Sequence, residues 1–343
     1  MFPRVFLNFD AIKNGEGGRM KARLIHILSL ALKHHVTDIH LNLSEDGCSI
    51  EMRVAGKIRR VRTKPDDEHF FHYLMYRANL DLSSALEPQT GRFEETVGGK
   101  TLALRFAVVS SYRVTSGVLR ILNNHEDLTI AQLSADPSQA EWLSGICMHR
   151  SGLYVFSGPT GSGKTTTLYT ILNEVRGKKI FTLEDPIEVL SGKYVQLAVN
   201  DKRHLSYADG IRQLMRHDPD IVMIGEIRDS IAAEMAVRCA LTGHLVLTSI
   251  HSGSCVSAIN RMIDLGVNEL QLADTLSGIA NQRLYDTADG RKIGVYEIMD
   301  RKEVNYYFQN HSTSTAFVPL SIKLQEAVQC GLVDPEQAAQ DLS

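Results

Sequence analysis

A chain of 343 residues, 43% hydrophobic and 22% charged, has the apolar content of an ordinary globular protein and the length of about two domains, since single cores rarely grow past roughly 250–300 residues. No apolar stretch approaches the ~18 residues of a membrane span, Met1–Met20 lacks the basic start and apolar centre of a signal peptide, and five scattered cysteines without a C-x-x-C argue against zinc or a disulfide framework and for a reducing, cytosolic setting. The net charge of −3 is uneven: residues 1–120 carry 18 Lys/Arg against 13 Asp/Glu (+5) and the remainder 19 against 27 (−8), and so mildly acidic a chain is a poor candidate for a sequence-specific DNA binder.

Residues 1–20 hold a glycine cluster at 15–18 and little periodicity, which suggests a flexible or edge segment. Leu24, Ile27, Leu28 and Ala31 then fall on one helical face, and Ile39, Leu41 and Leu43 alternate as a half-buried strand. Ile50, Met52 and Val54 alternate again, Ala55-Gly56 turns, and Ile58 and Val61 continue. The run Lys57-Ile58-Arg59-Arg60-Val61-Arg62-Thr63-Lys64 is the densest basic stretch; it suits a solvated strand face, or contact with nucleic acid or an acidic membrane surface. Residues 66–80 read as a helix with Asp66 or Asp67 as cap and Phe70, Phe71, Leu74 and Met75 inward. Gly98-Gly99 turns a hairpin between Arg92–Val97 and Thr101–Val109, and a strand follows at Val118–Leu122. Strands and helices mix without βαβ alternation, so residues 21–122 are expected to form an α+β domain. Residues 123–137 are polar and turn-rich, the expected linker.

From 138 the pattern becomes α/β. Strands are expected at Leu153–Ser157, Ile180–Leu183, Val195–Val199, Ile221–Ile224 and Leu245–Ile250, short and apolar enough for a sheet covered on both faces. After Ser254 the chain reads as mainly helical, with one further strand at Ile293–Ile298 and two short helices between Ser321 and Leu342.

The chemistry starts at Gly158-Pro159-Thr160-Gly161-Ser162-Gly163-Lys164-Thr165, followed by Thr166 and a helical pattern. This is G-x-x-x-x-G-K-[ST] with a strand before it and a helix after it. Glycines let backbone N–H groups converge on phosphate oxygens, and the helix directs its positive end at the same anion. Lys164 is expected to reach the β and γ phosphates of ATP and the Thr165 hydroxyl to ligate Mg²⁺. Hydrolysis also needs carboxylates and cations. Glu184-Asp185-Pro186-Ile187-Glu188 closes one strand, Gly225-Glu226-Ile227-Arg228-Asp229 closes another, and His244 and His251 bracket a third.

In this order, phosphate loop, E-D-P-I-E, D-P-D-I-x-x-I-G-E-I-R-D and T-G-H-L-V-x-T-x-I-H resemble the secretion ATPase superfamily of type II secretion motors, type IV pilus motors and competence relatives, across residues ~20–300. Val36–Leu41, Pro88–Phe93 and Leu104-Arg105 resemble its segments S-D-I-H, P-Q-D-G-R and L-R-V-S, with Thr90 in place of an aspartate. Arg120 lies where the acid of another family segment is missing, so no role passes to it. The resemblance implies a C-terminal RecA-like P-loop ATPase domain, residues 138–343, behind a smaller N-terminal α+β, PAS-like domain. It implies catalytic roles for Glu184, Glu226, Arg92, Arg105 and His251, and metal contacts from Thr165, Asp185 and Glu226; which acid orients water stays open. It also implies a homo-hexamer at the cytoplasmic face of the cell membrane that works on a polytopic inner-membrane platform protein, without zinc and without specific nucleic-acid binding of its own. A short, zinc-free form is most similar to the competence branch, which powers a pseudopilus for DNA uptake. Retraction, type II secretion, or a non-hydrolysing ATP-binding scaffold are the alternatives.

Overall fold

The computed structural model describes residues 17–34, 36–54, 57–82, 87–122, 128–185, 187–189, 191–199, 206–287 and 292–342. The expected turn at Ala55-Gly56, the N-terminal segment 1–16 and residues 123–127 of the expected linker lie outside them. The chain divides into two compact units, Met1–Asn124 and His125–Ser343.

In the first unit α1 (Gly17–Lys33) precedes β1 (Asp38–Ser44), β2 (Gly47–Val54) and β3 (Lys57–Arg60); α2 (Asp67–Arg77) precedes β4 (Gln89–Val97), β5 (Lys100–Ser110) and β6 (Thr115–Leu122). The six strands form one sheet in the order β3-β2-β1-β6-β5-β4, every pairing antiparallel. Both helices bury their apolar faces, Leu24, Ile27 and Leu28 of α1 and Phe70, Phe71 and Leu74 of α2, in one core with Ile39, Leu41, Leu104, Phe106 and Leu119 of the strands. Helix α1 starts at Gly17, inside the segment expected to be irregular. Its first-turn N–H groups need no helical partner, and Met20 already enters the core. Asp66 holds the N-cap position of α2 without a side-chain capping bond. Asp67 instead forms a buried, two-pronged pair with Arg23, Nε–Oδ1 2.9 Å and Nη2–Oδ2 2.8 Å.

The second unit carries a seven-stranded sheet in the order β13-β12-β7-β11-β10-β8-β9. These strands are β7 (Gly152–Ser157), β8 (Ile180–Glu184), β9 (Val195–Ala198), β10 (Ile221–Ile227), β11 (Leu245–Ile250), β12 (Leu276–Asp286) and β13 (Lys292–Met299). All neighbours are parallel except β12 and β13. Helix α3 (Pro137–Gly145) precedes β7 and α4 (Lys164–Glu174) follows the phosphate loop; α5 (Tyr207–Leu214), α6 (Ser230–Leu241), α7 (Cys255–Asp264) and α8 (Glu269–Thr275) complete the crossovers. Alternate residues of each central strand feed separate cores. Tyr154, Phe156, Met223 and Leu247 meet α4, while Leu153, Val155, Val222 and Val246 meet the α5–α7 face. After α9 (Arg301–Asn310), helices α10 (Leu320–Gln329) and α11 (Pro335–Leu342) close over Tyr285 and Val295.

One sequence expectation needs correction here, and one needs a strand added. Residues 128–136 are packed into the second unit rather than strung out as a connection: Ile130 and Leu133 are buried, and the Ile130 N–H donates to Glu174 at 2.8 Å. The stretch after Ser254 is mainly helical, as expected, but it also holds a strand that the sequence pattern did not show, the eleven residues of β12 beside β7. Its pattern misleads because Asn281 and Gln282 interrupt the apolar run while being buried themselves.

Candidate nucleotide-binding site

Strand β7 ends at Ser157 and α4 begins at Lys164, so residues 158–163 turn at the carboxyl end of the parallel strands, where such sheets bind ligands. Gly158, Gly161 and Gly163 adopt φ values of 145°, 81° and 89°, a region that side chains disfavour. A Cβ on Gly158 would come within 2.5 Å of the Gln282 carbonyl, and one on Gly163 within 2.8 Å of the Gln282 Nε2. The loop is thus pressed against β12. Thr167 of α4 fastens the contact, its Oγ1 donating to Gln282 Oε1 at 3.0 Å and lying 2.9 Å from the Tyr296 hydroxyl.

Lys164 is buried, and its Nζ donates to the loop's own carbonyls, Gly158 at 2.9 Å and Pro159 at 3.0 Å. Burial pulls its pKa below the ordinary lysine value and Arg283 pulls in the same direction, while the carboxylates of Glu226 and Glu188 oppose them. The Ser162 hydroxyl is buried without a hydrogen-bond partner. Pro159, Thr160 and Gly161 are exposed; Thr165 and Thr166 are half-buried. An orphaned hydroxyl, an ammonium held by weakly competing carbonyls and three left-handed glycines make a cradle for an anion. These residues fit a triphosphate.

The acids arrive on the neighbouring strands. Glu184, last residue of β8, is only 3% exposed and accepts from Tyr169 Oη (2.5 Å), Thr182 Oγ1 (2.6 Å) and Gln196 Nε2 (3.3 Å). Burial raises its pKa above the ordinary carboxylate value, against the pull of those donors. Asp185 turns outward to Arg228 at 3.2 Å. Between β10 and β11 the register slips by one residue from Ile224 to Ile227, a bulge that turns Gly225 and Glu226 out of the ladder. The bulge accounts for an acid displaced beyond the apolar run. Glu226 lies 3.1 Å from His251 Nε2 and 3.0 Å from Arg228 Nε. A Cβ on Gly225 would sit 3.3 Å from the Glu184 Cγ, so the two acidic stretches are neighbours.

Sequence reasoning left several participants without a role. Arg228 bridges Glu226 and Asp185; Asn281 Nδ2 donates to Ser157 Oγ at 2.8 Å, at the mouth of the loop; Arg283 Nη1 donates to Asn281 Oδ1 at 3.0 Å. Buried polar residues inside an apolar strand are the signal that could have exposed them. His244 stands apart: it precedes β11 at the end of the strands away from the phosphate loop, with Nδ1 3.2 Å from the Cys239 carbonyl, so it does not face that loop. Arg92 and Arg105 belong to the first unit, where they are direct cross-strand partners in β4 and β5. Arg120 is the next partner in that row and pairs with Asp38 at 2.6 Å.

Residues 15–318 match the family model described as type II/IV secretion system protein. The chain belongs to that family. It is 37% identical over 282 residues to the putative type II secretion system protein E of Escherichia coli (strain K12), covering 80% of this chain and 57% of that protein. It is 35% identical over 257 residues to the competence protein ComGA of Bacillus subtilis (strain 168), covering 74% and 72%. The chain thus spans little more than half of the type II relative. Among solved structures, the pilus retraction motor PilT with bound ADP superimposes with a TM-score of 0.71 at 26% identity, over 92% of this chain and 96% of that one. This is a family of secretion and pilus ATPases.

Proposed function

We propose that this chain hydrolyses ATP as a homo-hexameric motor at the cytoplasmic face of a membrane, assembling a pseudopilus of the competence type. The observation that carries hydrolysis, rather than nucleotide binding alone, is the convergence of Glu184, Glu226, His251 and Arg228 on the strand ends beside the Lys164 loop. A binding scaffold has no need of two acids and their cations there. The competence branch is supported by the match to ComGA, which spans nearly three quarters of both chains.

In this proposal Lys164 and the loop N–H groups bind the phosphates of ATP, and Thr166 lies behind them. Glu184 accepts the proton of the attacking water, a role that its raised proton affinity favours. Mg²⁺ would be held by Thr165 and Glu226, with Asp185 beside them, and would neutralise charge on the phosphates; a cation that keeps most of its water needs no larger cage. His251 holds Glu226 in place. Arg92 and Arg105, cross-strand partners in β4 and β5, are the arginines to which the proposal gives a catalytic role. The second unit is the RecA-like motor core, the first a PAS-like domain, and the ring works on a polytopic platform protein.

The test combines two variants. Lys164→Ala should lose ATP-analogue binding while its circular dichroism stays that of the wild type. Glu226→Gln should retain binding and lose at least ~10²-fold in phosphate release, the lower end for a removed charge-stabilising group. Equal binding by wild type and Lys164→Ala would overturn the assignment of the loop; normal turnover in Glu226→Gln would overturn the role of β10.

A further inference from the structure

One cavity belongs to the first unit alone, and the ATPase reading does not use it. It encloses about 800 Å³ between α1 and the β2–β3 edge of the sheet, within the range of ligand clefts. Leu30, Met52, Val54 and Val61 make an aliphatic floor. Arg59, Arg62 and Lys64 stand on one rim, and His26 and His34, eight residues apart along α1, stand on the other. Arg59 lies opposite Met52 in the ladder, so both share the face that lines the cavity.

The charges here are not self-compensated. Arg23 is neutralised by Asp67 at the base and Arg60 by Glu51. Arg59, Arg62 and Lys64 are exposed, and no carboxylate lies within ion-pair distance of them among the described residues. No Asp or Glu lines the cavity at all. Three like charges gathered over an apolar floor repel one another unless an anion joins them.

We propose that this groove is a docking site for an acidic segment of a partner protein, with aliphatic side chains on the floor and carboxylates against Arg59, Arg62 and Lys64. Charge complementarity sets the sign of the partner. The floor sets its class. A bilayer surface reaches a rim but not a recessed aliphatic floor. A single-stranded nucleic acid stacks its bases on broad aromatic faces, and the cavity offers only the small imidazoles of His26 and His34, with no Phe, Tyr or Trp in its lining. An extended chain finds one more complement: among the described residues β3 is the sheet edge and pairs only with β2, which leaves its other side for a main chain.

The experiment uses the full chain and a fluorescein-labelled peptide of about a dozen residues with Glu and Leu alternating, read by anisotropy. Polyglutamate of the same length, an oligothymidylate of equal charge and phosphatidylglycerol vesicles are the comparators. The Glu/Leu peptide should bind at least about tenfold more tightly than polyglutamate and weaken with salt. The double substitution Arg59→Glu, Arg62→Glu should cost at least about tenfold in that binding with an unchanged melting temperature, and Arg59→Ala, Arg62→Ala should cost less. Four results each overturn the proposal: no binding of the peptide, equal binding of polyglutamate, tighter binding of the oligonucleotide or vesicles through the same arginines, or self-association of the chain that the double substitution abolishes.

Discussion

Glu184 shows what a single side chain costs and supplies. Its carboxylate is almost wholly buried, and three donors do not offset the loss of water completely, since its pKa remains raised. A carboxyl that binds its proton more tightly in the folded chain than in the unfolded one destabilises the fold above its folded pKa, and this cost is absent below the ordinary carboxylate range. Glu184→Gln should therefore gain on the wild type as pH rises. Its melting temperature, relative to wild type, should be more favourable at pH 8 than at pH 4, with about 2–4 °C for each kcal/mol removed in a unit of this size. Parallel melting profiles across that range would show that the buried charge carries no such cost. The residue pattern alone displayed Glu184, Glu226 and His251, because acids and histidines at the ends of apolar strands stand out. It did not display that Glu184 is enclosed and Glu226 half-open, since enclosure by Tyr169 and Gln196 comes from segments 15 and 12 residues away.

At the scale of elements, the phosphate loop and its flanking strand and helix were legible because one short segment holds all the parts. Strand β12 was not, because the features that define it are pairings with β7 and β13. Asn281 and Gln282 look like strand breakers until their partners on the loop and α4 are seen. The same strand also fixes the end of the chain. Arg283 Nε donates to Asp341 Oδ1 of α11 at 3.1 Å, and the Tyr285 hydroxyl to Asp341 Oδ2 at 2.8 Å. Asp341→Ala should release α11 from β12. The pair is partly exposed, so the expected loss is about 1–2 kcal/mol, the range of a charge-assisted hydrogen bond discounted for solvent. Tyr285→Phe, which removes one of the two bonds, should cost less. Amide exchange across residues 335–342 measures both; unchanged exchange in Asp341→Ala would mean that the helix is seated without Asp341, by the apolar packing of Val333 and Ala338 and the bond from the Asp286 N–H to Gln337 Oε1 at 3.1 Å.

The whole molecule is two units of opposite charge balance, +5 over residues 1–120 and −8 over the remainder, and the proposed motor depends on both. The turn at Gly98-Gly99 was legible, and from it the side-by-side placement of Arg92 and Arg105; the structure pairs them directly across β4 and β5. The register continues to Arg120 on β6 and Asp38 on β1, a row no local pattern reveals because its members are up to 82 residues apart. The row supplies its own control. Arg120 has Asp38 as counter-ion at 2.6 Å and shares the strand environment of the other two. If Arg92 and Arg105 serve the γ-phosphate, their attraction to it grows as charge develops in the transition state. Arg92→Ala and Arg105→Ala should each leave ATP binding within about tenfold, or ~1.4 kcal/mol. Each should cut phosphate release far more, toward the ~10³-fold or greater effect of a removed arginine finger. Arg120→Ala should lose stability with its ion pair and keep its turnover. Single-turnover hydrolysis measured beside equilibrium ATP-analogue binding separates the two effects. Equal turnover in all three variants would mean that the first unit adds no cation to the reaction, and the catalytic charge would then have to come from Arg228 and Arg283 of the second unit itself.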